Sequence, residues 1–129
     1  MATILIAEDN ADIRELVKVQ LQKHGFSCVE VADGSDVMDA LNANSIDLVL
    51  MDMNMPEMDG WEATTAIRGH DQFKNTPIIA ITAYSLDGDR ARAEAAGCDA
   101  FHCKPVEFEV LLLTINQLLQ PQSTILSTE

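Results

Sequence analysis

A chain of 129 residues, 47% hydrophobic and 22% charged, has the size and composition of one soluble globular domain with room for a real core. Its formal net charge of −13 excludes a nucleic-acid surface, which needs clustered Lys and Arg to displace counterions. No apolar run approaches the roughly 18 residues of a membrane helix, and no basic leader or cleavage signal follows Met1, so a cytoplasmic location is expected.

In chain order, Ile4-Leu5-Ile6-Ala7 is a short apolar run ending on Glu8-Asp9, the pattern of a buried strand. Ile13, Leu16, Val17 and Leu21 then recur at helical spacing, with Asn10 or Asp12 as the cap and His24-Gly25 as the stop. Phe26 to Val31 reads as a second strand broken by Asp33-Gly34, and Ser35 to Asn44 as a helix carrying Val37, Met38 and Leu41. Asp47 to Asp52 is a third strand, apolar until it ends on a carboxylate, followed by a loop with Pro56 and Asp59-Gly60. A third helix runs from about Trp61 to Arg68, packing through Ala63, Ala66 and Ile67. The strand Ile78 to Ile81 ends on Thr82. An Ala-rich fourth helix, Asp89 to Ala96, lacks large anchors and stops at Gly97. Asp99 to Cys103 is a short strand running into Lys104-Pro105, and the strongly apolar last helix, Glu107 to Leu119, is closed by Pro121. Residues 1–120 form the expected domain and 121–129 a loose tail.

Five strands alternating with five helices imply an α/β domain with a mostly parallel sheet and right-handed crossovers. Ligands bind such sheets outside the carboxyl ends of the strands, where Glu8, Asp9, Asp52, Thr82 and Lys104 all fall. Singly, each has an ordinary explanation: an Asp after a strand forms turns, Thr suits a strand, and a Lys before Pro is a surface charge. Together, at successive strand ends, they describe one site. The three cysteines form no CxxC pair and read as free thiols. His24, His70 and His102 show no ligand spacing. The run from Asp52 fails as a calcium loop, with Glu57 where Gly is required and Ala63 where Glu is required.

Glu8-Asp9, Asp52 with Met55-Pro56 and Met58-Asp59-Gly60, Thr82-Ala83, and Lys104-Pro105 follow one another in a spacing that resembles the receiver domains of two-component response regulators, the CheY-like family, over about residues 3–119. The resemblance implies a doubly wound (βα)5 flavodoxin-like three-layer sandwich with a parallel five-stranded sheet in the order 2-1-3-4-5. It implies that Asp52 accepts a phosphoryl group from a phosphohistidine of a sensor histidine kinase or histidine phosphotransfer protein. Mg²⁺ (or Mn²⁺) would be held by Asp9, Asp52 and the backbone carbonyl of Asn54, with Glu8 in direct or water-mediated contact. Thr82, Ala83 and Lys104 would bind the phosphoryl oxygens, Phe101 would change rotamer with Thr82, and the peptide before Pro105 would be cis.

Asn54 and Tyr84 would tune the phosphoryl lifetime, the bulk of Tyr84 obstructing a hydrolytic water. The switched surface would be the fourth helix, fifth strand and fifth helix, read by a downstream protein effector. The implied protein is a monomer or a phosphorylation-dependent dimer that contacts neither nucleic acid nor membrane directly. It is expected to be no enzyme beyond self-phosphorylation and slow self-dephosphorylation. Crowding of Glu8, Asp9 and Asp52 is expected to destabilise the metal-free fold and raise at least one carboxyl pKa.

Two other readings use the same residues. A Mg²⁺-dependent phosphatase of the haloacid-dehalogenase type also has a strand-end Asp, but normally needs a second Asp where Asn54 stands. A receiver-like binding module that is never phosphorylated has no need for the full set Asp9, Asp52, Thr82 and Lys104. The start at Met1 favours a stand-alone regulator over a receiver cut from a longer protein.

Overall fold

The apolar runs of the sequence become the strands β1 (Thr3–Ala7), β2 (Ser27–Val31), β3 (Leu48–Asp52), β4 (Ile78–Thr82) and β5 (Ala100–Cys103). They alternate with α1 (Ala11–Lys23), α2 (Val37–Ala43), α3 (Gly60–Arg68), α4 (Asp87–Ala96) and α5 (Phe108–Leu119). The computed structural model describes residues 2–55, 57–83 and 87–119. All pairings are parallel and the order is β2-β1-β3-β4-β5, the doubly wound arrangement of the flavodoxin-like fold.

Successive side chains of a strand point to opposite faces, and a parallel sheet is covered on both. That is why β1, β3 and β4 read as continuous apolar runs. Leu5, Ala7, Val49, Met51, Ile78 and Ala80 face one layer, packing with Val37, Leu41, Trp61, Ile67 and Ala93 of α2, α3 and α4. Ile4, Ile6, Leu48, Leu50 and Ile79 face the other, with Leu21 of α1 and Leu111 and Ile115 of α5.

Several boundaries differ from expectation for local reasons. The helix expected from Ser35 starts as a 3-10 turn, Gly34–Asp36, because the Asp33 side chain takes the Ser35 amide. Asp47 and Asp99 lie outside the strands and bond to neighbouring ones, Asp47 accepting from Thr3 N at 2.8 Å and Asp99 from Ile78 N at 2.8 Å. Asn10 is the cap of α1, taking the amides of Asp12 and Ile13. Gly25, at φ 89°, adopts the left-handed conformation that ends α1. The expected stripe on α1 is only half a core stripe: Leu21 is buried, whereas Ile13 and Leu16 are 38% and 60% exposed. Ala66, expected to pack, is exposed; Trp61 and Thr64 are buried in its place. The tail 121–129 lies outside the described residues, among which no helix is long and apolar enough to cross a membrane.

Candidate functional site

Strand register assembles the site. Ala7 sits opposite Met51, so Glu8 and Asp52, one residue further along, leave neighbouring strands side by side. Asp52 in turn lies opposite Ile81, and Thr82 opposite Cys103, which delivers Lys104 to the same edge. Carboxylate oxygens of Glu8, Asp9 and Asp52 all lie within 4.8 Å of one another. Glu8 and Asp52 are buried at 6% and 2% exposure, while Asp9 is exposed.

Lys104 Nζ stands 3.4 Å from Glu8 Oε1 and 3.4 Å from Asp52 Oδ2. One ammonium thus bridges two buried carboxylates. Burial foremost, with the hydrogen bond and charge of Asp52, pushes the Glu8 carboxyl up to about 7, against the Asn10 amide that bonds its Oε2 at 3.1 Å and the charge of Lys104. Burial would lower Lys104, but the Asp52 and Glu8 charges outweigh it and hold the ammonium above its ordinary range. The expected carboxyl shift thus falls on Glu8.

Asn54 ties the pieces together. Its N–H donates to Asp52 Oδ1 at 3.0 Å, and its side-chain oxygen accepts from Thr82 Oγ1 at 3.1 Å. Thr82 is fully buried and Ala83, beside it, is exposed. Phe101 is half-buried against the α2/α3/α4 layer, with the Arg90 guanidinium 4.9 Å from its ring centroid. The Lys104–Pro105 peptide is cis. Tyr84 lies outside the described residues.

The donor set suits a hard cation. Three converging carboxylates form an all-oxygen site of the kind that Mg²⁺ or Mn²⁺ takes. The histidines take part elsewhere: His102 bonds Thr114 at 2.9 Å, His24 packs on Phe108 and His70 on Phe73. All three cysteines are half-buried and none forms a disulfide.

Sequence reasoning missed two features. Asn54 links Asp52, through its backbone N–H, to Thr82, through its side chain, the latter a contact across 28 residues with no local signal. A cavity of about 420 Å³ also opens beside the carboxylates, walled by Ile13, Leu16, Gln20, Pro105, Val106 and Phe108.

Residues 4–116 match the family described as the response regulator receiver domain. The polar-differentiation response regulator DivK of Brucella anthropi is 30% identical over 117 residues, covering 91% of this chain and 95% of that protein. The CAI-1 autoinducer sensor kinase/phosphatase CqsS of Vibrio cholerae is 38% identical over 110 residues, 84% of this chain but 16% of CqsS. Among solved structures, the Vibrio cholerae chemotaxis protein CheY4 superposes with a TM-score of 0.87 at 32% identity, covering 92% of this chain and 99% of that one. The receiver domain of a Pseudomonas aeruginosa sensor histidine kinase, which coordinates a magnesium ion in its active-site cleft, superposes at 0.84 with 31% identity, covering 92% and 97% of the two chains.

Proposed function

This chain belongs to the response regulator receiver domain family, and on that premise we propose that it stores a signal as a phosphoryl group on Asp52. The donor is a phosphohistidine of a sensor histidine kinase or a histidine phosphotransfer protein. An Asp52 carboxylate oxygen forms the new P–O bond while the P–N bond to the imidazole breaks, and the released imidazole takes a proton. The observation that carries this reading is a 2%-exposed carboxylate at a strand end, 3.4 Å from a lysine and within 4.8 Å of two further acids.

A buried anion attacking an anionic phosphoryl group needs positive charge to offset the repulsion. Glu8, Asp9, Asp52 and the Asn54 carbonyl would hold Mg²⁺ or Mn²⁺, which supplies part of that charge. Lys104 supplies the rest from the protein. Once phosphoryl oxygens are present, its ammonium can leave Glu8 for them. Thr82 Oγ1 can exchange its Asn54 acceptor for another of these oxygens, drawing the end of β4 inward.

That movement is transmitted to the α4-β5-α5 face through Phe101, whose ring touches Arg90 of α4. α4 suits the part because Ala93 is its one buried apolar residue among those described. A downstream protein effector, or a second copy of the chain, reads the changed face. The donor docks at the other side, where exposed Ile13 and Leu16 border the cavity leading to Asp52 and suit the apolar stripe of a partner helix. The phosphoryl group is held rather than turned over, apart from slow self-hydrolysis, so the domain acts as a switch.

Intact mass after incubation with a small acyl-phosphate donor and Mg²⁺ tests the proposal. One phosphoryl adduct in wild type, absent in Asp52→Asn and after chelation, is the expected result. Turnover of donor without adduct would make the protein a phosphatase, and neither adduct nor turnover would make it an inert binding module.

A further inference from the structure

Asp33 follows β2 and belongs to no part of the acidic cluster, yet its carboxylate accepts four hydrogen bonds. Its Oδ1 accepts from Glu57 N at 3.0 Å. Its Oδ2 accepts from Met58 N at 3.1 Å, from Ser35 N at 3.0 Å and from Ser35 Oγ at 2.9 Å. Two of these four donors lie in the loop between β3 and α3, 24 and 25 residues further along the chain. Burial works against the Asp33 carboxylate, but the amides of Ser35, Glu57 and Met58 outweigh it and hold its pKa below the ordinary range.

The two loops also touch directly. Gly34 N donates to Met58 O at 3.1 Å, and a Cβ at Gly34 would stand 2.2 Å from that same oxygen. On the far side of the loop, Gly60 comes so close to β3 that a Cβ there would stand 2.7 Å from Asp52 O. The segment after Asp52 is therefore held at both ends. Asn54 is bonded to Asp52 at the start, and Glu57 and Met58 are bonded to Asp33 at the end. The Asn54 carbonyl lies between these anchors.

We propose that Asp33 is a positioning residue for cation binding: through Glu57 and Met58 it holds the β3–α3 loop so that the Asn54 carbonyl is aimed at the cation shared with Glu8, Asp9 and Asp52. This rests on the receiver reading above, since it assumes that the acidic cluster binds Mg²⁺. Residues that hold a metal-binding group in place, without touching the metal, typically change its affinity by about 10–100-fold when replaced.

The chemistry of the four bonds distinguishes two replacements. Asp33→Ala removes every acceptor. Asp33→Asn keeps one oxygen and turns an NH2 toward the remaining N–H donors, so it can serve one side of the carboxylate's partners but not both. Asp36→Asn removes the same charge from the adjoining turn. Asp36 takes no part in the four bonds that tie Asp33 to Ser35, Glu57 and Met58, so it controls for long-range charge.

Calorimetric Mg²⁺ titration of the full chain, with amide hydrogen exchange at Glu57 and Met58, makes the test. Asp33→Ala should weaken Mg²⁺ at least tenfold and speed exchange at both amides. Asp33→Asn should weaken it less and release one amide more than the other, and Asp36→Asn should stay within twofold of wild type. If Asp33→Ala does not fold, Asp33→Asn decides by the same criterion. Asp33 variants within twofold of wild type, or an equal loss in Asp36→Asn, would overturn the inference while leaving the receiver reading intact. Wild-type protein with no Mg²⁺ affinity would overturn both.

Discussion

Glu8 is the carboxyl whose ionisation the fold opposes, and replacing it by Gln converts that opposition into a measurable slope. Its pKa rises from 4.5 to about 7. At 1.36 kcal/mol per unit, this corresponds to on the order of 2–4 kcal/mol of metal-free stability. Solvent screening removes little of it, because Glu8 is 6% exposed. The sign follows from proton counting. Between pH 4.5 and about 7 the folded chain keeps a proton that the unfolded chain has released. The contribution is fully present below pH 4.5 and lost as pH climbs through about 7.

Urea unfolding in chelator at a series of pH values across that window, for wild type and Glu8→Gln, isolates the effect. Every other titrating group occurs in both proteins and largely cancels in the difference. Wild type should lose about 3 kcal/mol relative to the variant as pH rises across the window. A difference constant to within about 0.5 kcal/mol would refute the claim that burial of Glu8 drives the shift.

Asp9→Asn should raise the metal-free melting temperature only slightly, equivalent to about 0.5 kcal/mol or less because Asp9 is exposed. It should also abolish the Mg²⁺-induced rise that linkage gives wild type; a lowered metal-free melting temperature would contradict carboxylate crowding. Arg68→Lys should cost about 2–3 kcal/mol in urea unfolding. Its guanidinium donates to Gly97 O, Lys74 O, Thr76 O and Asp99 Oδ2 at 2.7–2.9 Å, a spread one ammonium cannot span. A loss under about 0.5 kcal/mol would show that water replaces those bonds. Tyr84→Ala should shorten the lifetime of the Asp52 phosphoryl group in a phosphate-release assay, and an unchanged lifetime would remove steric obstruction of water as its role.

The strands could be read from the chain because parallel strands bury both faces. Ile4 to Ala7, Leu48 to Met51 and Ile78 to Ile81 therefore appear as unbroken apolar runs with polar residues at one end. The placement of Glu8, Asp9, Asp52, Thr82 and Lys104 at successive strand ends already grouped them, and the resemblance added the strand order and the role of each. Where local pattern misled, a partner distant in sequence was responsible. Ile13 and Leu16 have helical spacing, but they border a cavity that the sheet residues Ile6, Leu50 and Ile81 also line, and they stay 38% and 60% exposed. The Ala-rich α4 looked unanchored, yet Arg90 and Arg92 stack on Phe101 and Trp61, a fastening that apolar periodicity does not register.

By itself, then, the chain determined which segments are strands and helices and which polar groups stand at their ends, because hydrophobic period and capping chemistry act over a few residues. Only the tertiary structure decided how those ends meet. The Ala7–Met51 register sets Glu8 beside Asp52, and Lys104 comes within 3.4 Å of both. The bonds of Asp33 to Glu57 and Met58 span the crossover through α2 and the whole of β3. Such contacts depend on how the crossovers close and on how tightly Gly34 and Gly60 let the loops approach. No residue type at either end encodes them alone.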